Sequence, residues 1–134
     1  MHNISNNALI FHNGSAEDIR NELVGTTEIM WRHLTITACK AILPALVALR
    51  DSGRIELSSQ TIGDHFELDS VIQMMDEAAF PEISRDMRNS IARYLHALPG
   101  FNRERGQEQG NAAKDSHGFV LMQIKHYRDR ENAV

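Results

Sequence analysis

The stretch "MWRHLTITACKAILPALVALRDSG", residues 30–53, decides the fold. Apolar residues recur in it at spacings of three and four, which predicts a helix over about 28–51. Trp31, Leu43 and Val47 lie off that face and are apolar as well. A helix that is apolar nearly all round is buried by several neighbours, so this segment is the predicted centre of the domain. Pro44 predicts a kink, or a break into two helices, near residues 40–44.

Shorter helical patterns lie on both sides of this segment. Ser15 is a predicted N-cap, with Asp18 three residues on, and Thr26 or Thr27 is the predicted cap of the central helix. Asp69 is the predicted cap of a short helix farther along the chain. The remaining predicted helices cover about residues 16–24, 59–65, 69–78, 82–97 and 114–130. There is no repeat and no strong strand pattern, so we predict an all-α fold, a compact bundle of about six or seven helices.

The chain of 134 residues is long enough for one domain and not two. Residues 1–14 are polar and rich in Asn, and we interpret them as a loosely held lead-in. The helical domain is predicted over residues 15–130, with a tail at 131–134. The segment "FNRERGQEQGNAA", residues 101–113, is polar and contains glycines, and a loop of this length is either functional or disordered.

The net charge of −4 does not favour a nucleic-acid binder, but the charge is unevenly spread. Residues 51–82 hold eight acidic side chains and one basic side chain, whereas residues 85–105 hold five arginines and two acidic side chains. Such runs are commonly solvated helix faces. The alternative is an acidic surface that suits a basic protein partner.

The single cysteine, Cys39, lies in an apolar run, so no disulfide forms within the chain and a reducing compartment is expected. Cys39 itself is predicted to be a small core residue. We find no stretch that approaches the roughly 20 apolar residues of a membrane span. The N-terminus also lacks the pattern of a signal peptide.

No stretch carries a recognisable catalytic or metal-binding pattern. None of the seven histidines has the spacing of four with a glutamate that a helical zinc site uses. Asp64 and His65 are adjacent, so on a helix they diverge. The glycine-rich P-loop pattern is absent as well. We therefore expect neither an enzyme nor a cofactor in this domain.

Residues 58–75, "SSQTIGDHFELDSVIQMM", have the outline of a helix-turn-helix. Such a motif needs a recognition helix whose side chains reach base edges and phosphates. The second predicted helix carries no Arg or Lys and lies in the acidic run, where phosphates would be repelled. A small hydrophobic wedge is the preferred interpretation, and a DNA-binding regulator using residues 58–78 is the alternative.

The order of several segments resembles one protein family. These are "NGSAEDIRNELVG", the central "MWRHLTITACKAILPALVALRDSG", "TIGDHFELDSVIQMM", "YLHALPGF" and "HGFVLMQ". Together they resemble the all-α domain of type IV secretion coupling proteins, the TraD/TraG/DotL/TrbC-like ATPases of conjugation and effector export. The resemblance covers roughly residues 13–124, and its most specific pieces are Trp31–Arg32, Leu98–Pro99–Gly100 and His117–Gly118 followed by Gln123.

The resemblance implies a helical domain inserted into a RecA-like ATPase domain that binds ATP and Mg. The parent is a hexamer anchored in the bacterial inner membrane. The helical domain lies on the cytoplasmic side, away from the membrane, and recognises relaxase or relaxosome proteins, effectors or their adaptors. We expect the isolated domain to be a monomer that binds DNA weakly at most. A small helical adaptor unrelated to secretion remains a further alternative.

Two sets of residues are candidates for binding. The partner-binding candidates are charged: Asp51, Asp64, Glu67, Asp69, Asp76, Glu77, Arg103, Arg105 and Lys114. The candidates for the junction with the ATPase domain are Phe11, His117 and Gln123. In the last helix, Phe119, Val120 and Ile124 either face that parent domain or pack in an ordinary core.

Overall fold

A computed structural model of the protein describes residues 6–102, 107–108 and 112–132. Within these ranges the chain forms seven helices: α1 (Asn6–Asn13), α2 (Ala16–Gly25), α3 (Ile29–Asp51), α4 (Ile62–His65), α5 (Leu68–Gln73), α6 (Arg85–Ala97) and α7 (Ala112–Asn132). Two strands of two residues, β1 (Phe101–Asn102) and β2 (Gln107–Glu108), pair antiparallel between α6 and α7. The predicted all-α class is confirmed, and the predicted loop at 101–113 contains this short strand pair.

Helix α3 is the centre of the fold, as its sequence predicts. It packs against α2, α6 and α7, and it buries nine residues: Thr35, Ala38, Cys39, Ala41, Ile42, Leu43, Ala45, Leu46 and Leu49. The helix runs without interruption through Pro44, so the predicted alternative of a break is wrong. By length and composition alone α3 could cross a membrane, contrary to our expectation. Residues 35–49 are packed against the three helices, as in the central helix of a packed domain, whereas Ile29, Met30 and Leu34 at its start are exposed.

The N-terminal segment belongs to the packed domain, so the predicted loose lead-in is wrong for residues 6–13. Phe11 in α1 is fully buried, and its ring centre lies 5.5 Å from that of Tyr127 in α7. The Arg50 guanidinium also donates a hydrogen bond to the Phe11 carbonyl oxygen at 3.1 Å. Ile10 is also partly buried against the core, so two apolar side chains of α1 favour this docking. Helix α7 likewise extends to Asn132, beyond the predicted boundary at 130.

One predicted helix cap is confirmed and two are wrong. The Asp18 amide donates to the Ser15 hydroxyl and the Ser15 amide donates to the Asp18 carboxylate, both at 3.0 Å, which is the predicted cap of α2. Neither Thr26 nor Thr27 caps α3, because their hydroxyls donate back to the Leu23 carbonyl oxygen of α2. Asp69 does not cap α5, which begins one residue earlier than predicted and follows Glu67.

Candidate functional site

A cleft of about 820 Å³ opens between the start of α5 and the first half of α7. This volume lies in the range of about 300–1,000 Å³ that is common for ligand sites. Residues of both helices and of the turn before α5 line it: Glu67, Leu68, Asp69, Lys114, Asp115, His117, Gly118, Phe119 and Leu121.

A second, shallower hollow of about 370 Å³ continues along the outer face of α7. It shares Gly118 and Leu121 with the first cleft and reaches Asp129. Residues 114–129 of a helix span about 22 Å at 1.5 Å per residue. The two hollows together form one groove along α7, which we call the α7 groove.

A buried hydrogen-bonded chain forms the floor beneath the cleft. His117 is 1% exposed, and its Nε2 lies 2.5 Å from the carbonyl oxygen of Phe66. A carbonyl oxygen only accepts, so Nε2 carries the proton and Nδ1 accepts from the Tyr94 hydroxyl at 2.6 Å. This chain joins the turn after α4 to α6 and α7, and so fixes the cleft floor.

The protonation of these two side chains follows from their burial. Burial lowers the pKa of His117 below its usual value, although the bond to Phe66 and the charge of Glu67 act in the opposite direction. Burial, followed by the nearby Cys39, raises the pKa of Tyr94. At neutral pH the imidazole is therefore uncharged and the phenol keeps its proton, which matches the hydrogen bonds.

The rim of the cleft is predominantly acidic. Of its charged lining residues, three are carboxylates and one is a lysine, Lys114. Glu67 is already paired with the Lys125 ammonium at 2.9 Å, whereas Asp69 and Asp115 are exposed. The groove can therefore accept positive charge at this rim.

Gly118 has an unusual position in the middle of a long helix. Glycine there costs about 1 kcal/mol relative to alanine. A Cβ added at Gly118 would meet no atom within 4 Å among the described residues, and the backbone φ is not positive. By contrast, a Cβ at Gly14 would lie 2.6 Å from the Ile10 carbonyl oxygen. Packing inside the domain therefore explains Gly14 but leaves Gly118 unexplained.

Exposed apolar side chains border the groove. The rings of Trp31 and Phe119 stack at 4.5 Å with an angle of 10° between their planes, although Phe119 is 41% exposed. Met122, one turn farther along α7, is 51% exposed. Val120 and Ile124 are buried, so ordinary core packing is confirmed for these two and Phe119 alone of the three faces outward.

The predicted partner-binding residues do not form one surface. Glu67, Asp69 and Lys114 line the cleft, and Asp64 is exposed on α4 outside it. The others have local roles: Asp51 pairs with Arg50, Glu77 pairs with Arg88, and Asp76 accepts from the amides of Ala78 and Ala79. Arg103 and Arg105 lie outside the described residues.

The side chains of the three predicted junction residues are buried inside this domain, and their place at a junction with the ATPase domain stays a prediction. Phe11, His117 and Gln123 are 0%, 1% and 5% exposed. The Gln123 side-chain oxygen accepts from the Glu28 amide at 3.4 Å, next to the start of α3. Each side chain therefore serves the packing of α7 against the rest of the domain.

Sequence reasoning missed several residues of the groove, among them Leu68, Asp115 and Leu121. The available signal was a glycine inside the helical pattern of residues 114–130 with Phe119 beside it.

Other chemistry is sparse in the part of the chain that the structure describes. In that part, no three His, Cys, Asp or Glu side chains lie close enough together to hold a metal ion. Cys39 is buried, and burial raises the pKa of its thiol to about 12. Cys39 is therefore a protonated core residue at neutral pH.

Comparison with known proteins gives one informative similarity. The chain is 30% identical over 105 residues to the Type 4 coupling protein DotL of Legionella pneumophila. The match covers 71% of this chain and 13% of DotL, so the chain spans a small part of that relative's length. It supports a relation to type IV coupling proteins. No family model and no solved structure matches the chain.

Proposed function

We propose that this chain is the substrate-recognition domain of a type IV coupling protein and that the α7 groove is its binding surface. The similarity to DotL supports the first half of the proposal. The observation that carries the second half is the groove itself, where Glu67, Asp69 and Lys114 come together beside exposed apolar side chains.

The proposal assigns binding rather than catalysis to this domain. His117 and Tyr94, the neutral titratable pair below the cleft, are committed to each other and to a backbone carbonyl. An open groove lined by apolar and charged side chains suits a protein surface, in which a buried apolar centre is surrounded by polar contacts. ATP and Mg are proposed to act in a RecA-like domain of the parent protein.

In the cell, the proposed parent is anchored in the bacterial inner membrane and this domain lies on the cytoplasmic side. Its proposed partners are relaxase or relaxosome proteins, effectors, or adaptors that deliver them. The isolated domain is proposed to be a monomer.

The helix-turn-helix alternative receives little support from the geometry. Helix α5, which would be the recognition helix, has six residues and is about 9 Å long. It carries no Lys or Arg, and Leu68 and Val71 are buried against the core. DNA binding through residues 58–78 would therefore need contacts that these helices do not offer.

A pull-down tests the proposal, with this chain as bait in a lysate that contains the transfer or effector proteins of its source. We expect a secretion substrate or adaptor to be retained. Duplex and single-stranded DNA titrations at two salt concentrations run in parallel, and we expect weak binding. Tight binding that falls steeply with salt, without a protein partner, would favour the DNA-binding alternative. Retention of proteins unrelated to secretion alone would favour the small-adaptor alternative.

A further inference from the structure

We propose that the α7 groove binds an amphipathic polypeptide segment that packs bulky apolar side chains over Gly118 and places Lys or Arg side chains beside Asp69 and Asp115. The inference rests on the proposed function and deepens it, because it states the chemistry of the recognised segment.

Gly118 is the first observation behind this inference. It belongs to both hollows of the groove, and the space above it is open. Neither a positive φ nor a close neighbour among the described residues accounts for a glycine at this place. Absence of a side chain lets another chain approach the helix closely. The glycine thus keeps open the middle of the surface that we assign to the partner.

The apolar flanks are the second observation. Leu68, Phe119 and Leu121 line the cleft together with Gly118. The stack on Trp31 restricts the exposed Phe119 ring before any partner arrives, so little side-chain freedom is lost on binding. Exposed apolar surface of this kind, rimmed by polar residues, marks interaction sites.

The charge of the cleft rim favours a basic partner segment. Glu67 is paired with Lys125 although its side chain is 45% exposed, and Asp69 and Asp115 are two further exposed carboxylates beside the apolar lining residues. Opposite charge on the partner is favoured there and like charge is disfavoured. The groove is also open along some 22 Å of helix, so a compact small molecule would remain largely in water, whereas a chain segment can follow it.

The probe for the first test is a displayed library of random 16-residue peptides, selected on the full chain. We expect the enriched peptides to combine Leu, Ile, Phe or Met with Lys or Arg. The tightest peptide is then measured against G118A and G118L. We expect G118L to weaken it at least about tenfold, because the leucine fills the groove, and G118A to weaken it less. Neither variant should lower the melting temperature.

The second test changes charge without filling the groove. The double variant D69K/D115K should weaken the basic peptide at least about tenfold and tighten a matched peptide in which Glu replaces Lys and Arg. The single variant D64K is the control for altered net charge, since Asp64 is exposed on α4 and does not line the cleft. It should change the affinity less than about twofold.

Several outcomes would overturn the inference. The first is a selection whose peptides are not enriched in basic and apolar residues. The second is a peptide affinity that G118L and D69K/D115K leave unchanged. A self-association of the chain that G118L abolishes would assign the groove to a second copy. Tighter peptide binding after replacement of residues 103–111 by a short Gly-Ser linker would assign it to the chain's own segment.

The two proposals fail in distinguishable ways. If the pull-down retains a secretion substrate that binds G118L and D69K/D115K normally, the recognition function stands and the groove assignment fails. If basic apolar peptides bind as expected but no secretion substrate is retained, the groove assignment stands and the recognition function fails.

Discussion

The two long helices, α3 and α7, use their surfaces differently. Helix α3, with 23 residues, packs against three other helices and buries a broad apolar face from Thr35 to Leu49. Helix α7, with 21 residues, buries one line of side chains, including Val120, Ile124 and Tyr127, and leaves the opposite face open along a groove. The core accounts for the buried residues of α3 from Thr35 to Leu49. It does not account for the exposed Ile29, Met30 and Leu34 at the start of α3, or for Gly118, Phe119 and Met122 on the outer face of α7.

The largest expected effect contrasts the two helices directly. The substitution L46A in α3 should destabilise the domain by about 2–5 kcal/mol, because Leu46 is 1% exposed and its removal leaves a cavity. The substitution M122A on the outer face of α7 should change stability by less than about 0.5 kcal/mol. Urea unfolding followed by circular dichroism measures both. Similar losses for the two variants would contradict the division between the faces.

The hydrogen-bonded floor of the cleft gives the next effect. The substitution Y94F removes the hydroxyl that donates to His117 Nδ1 and leaves a buried acceptor without its partner. We expect a loss of about 1–3 kcal/mol in the free energy of unfolding. The same urea experiment checks it, and an unchanged midpoint would mean that this bond does not hold α6 to α7.

A pH series tests the contribution of His117 to stability, because the pKa of His117 is lowered in the folded chain. In the unfolded chain His117 binds a proton near pH 6.5, whereas in the folded chain it does so only at lower pH. The contribution of His117 to the free energy of unfolding is therefore complete above about pH 6.5. It is lost progressively as the pH falls from there through the folded pKa. We expect the stability difference between the wild type and H117Q to shrink between about pH 7.5 and 5.

The reference H117Q cannot titrate at this position, so it removes the effects of other groups from the comparison. A stability difference between the wild type and H117Q that stays constant with pH would show that His117 has similar proton affinity in the folded and the unfolded chain. A difference that grows as the pH falls would contradict the sign.

The smallest effect concerns Gly118. The substitution G118A should stabilise the domain by about 0.5–1 kcal/mol, because alanine favours the helix and its Cβ meets no neighbour. The matched control is G14A, which should destabilise it, because its Cβ would lie 2.6 Å from a carbonyl oxygen. Thermal melting of the two variants checks these opposite signs. Destabilisation by G118A would mean that packing inside the domain requires this glycine.

The sequence predicted those parts of the fold that depend on local pattern. The apolar periodicity of residues 28–51 gave the central helix, and Ser15 with Asp18 gave a correct cap. The wrong predictions concern residues whose actual contacts the local pattern does not show. Thr27 has a nearby carbonyl of α2 for its hydroxyl, and the short apolar stretch before Asn13 docks on α7, which is more than 100 residues away in the chain. Such long-range contacts leave no mark on local periodicity.

The groove was harder to predict than the fold. The acidic run of residues 51–82 includes Glu67 and Asp69, which line the cleft, but net charge could not show that Asp51, Asp76 and Glu77 have local partners. The burial of Phe11, His117 and Gln123 is likewise a property of the assembled helices. Their chain positions near the two ends suggested a junction, whereas their side chains pack inside this domain.

The most direct test of the central claim measures stability and binding on the same variant. A protein retained in the pull-down is titrated against the wild type and against G118L, and the melting temperatures of both chains are recorded. We expect an unchanged or higher melting temperature for G118L together with an affinity at least about tenfold weaker. Equal affinities for a folded G118L and the wild type would contradict the assignment of recognition to the α7 groove.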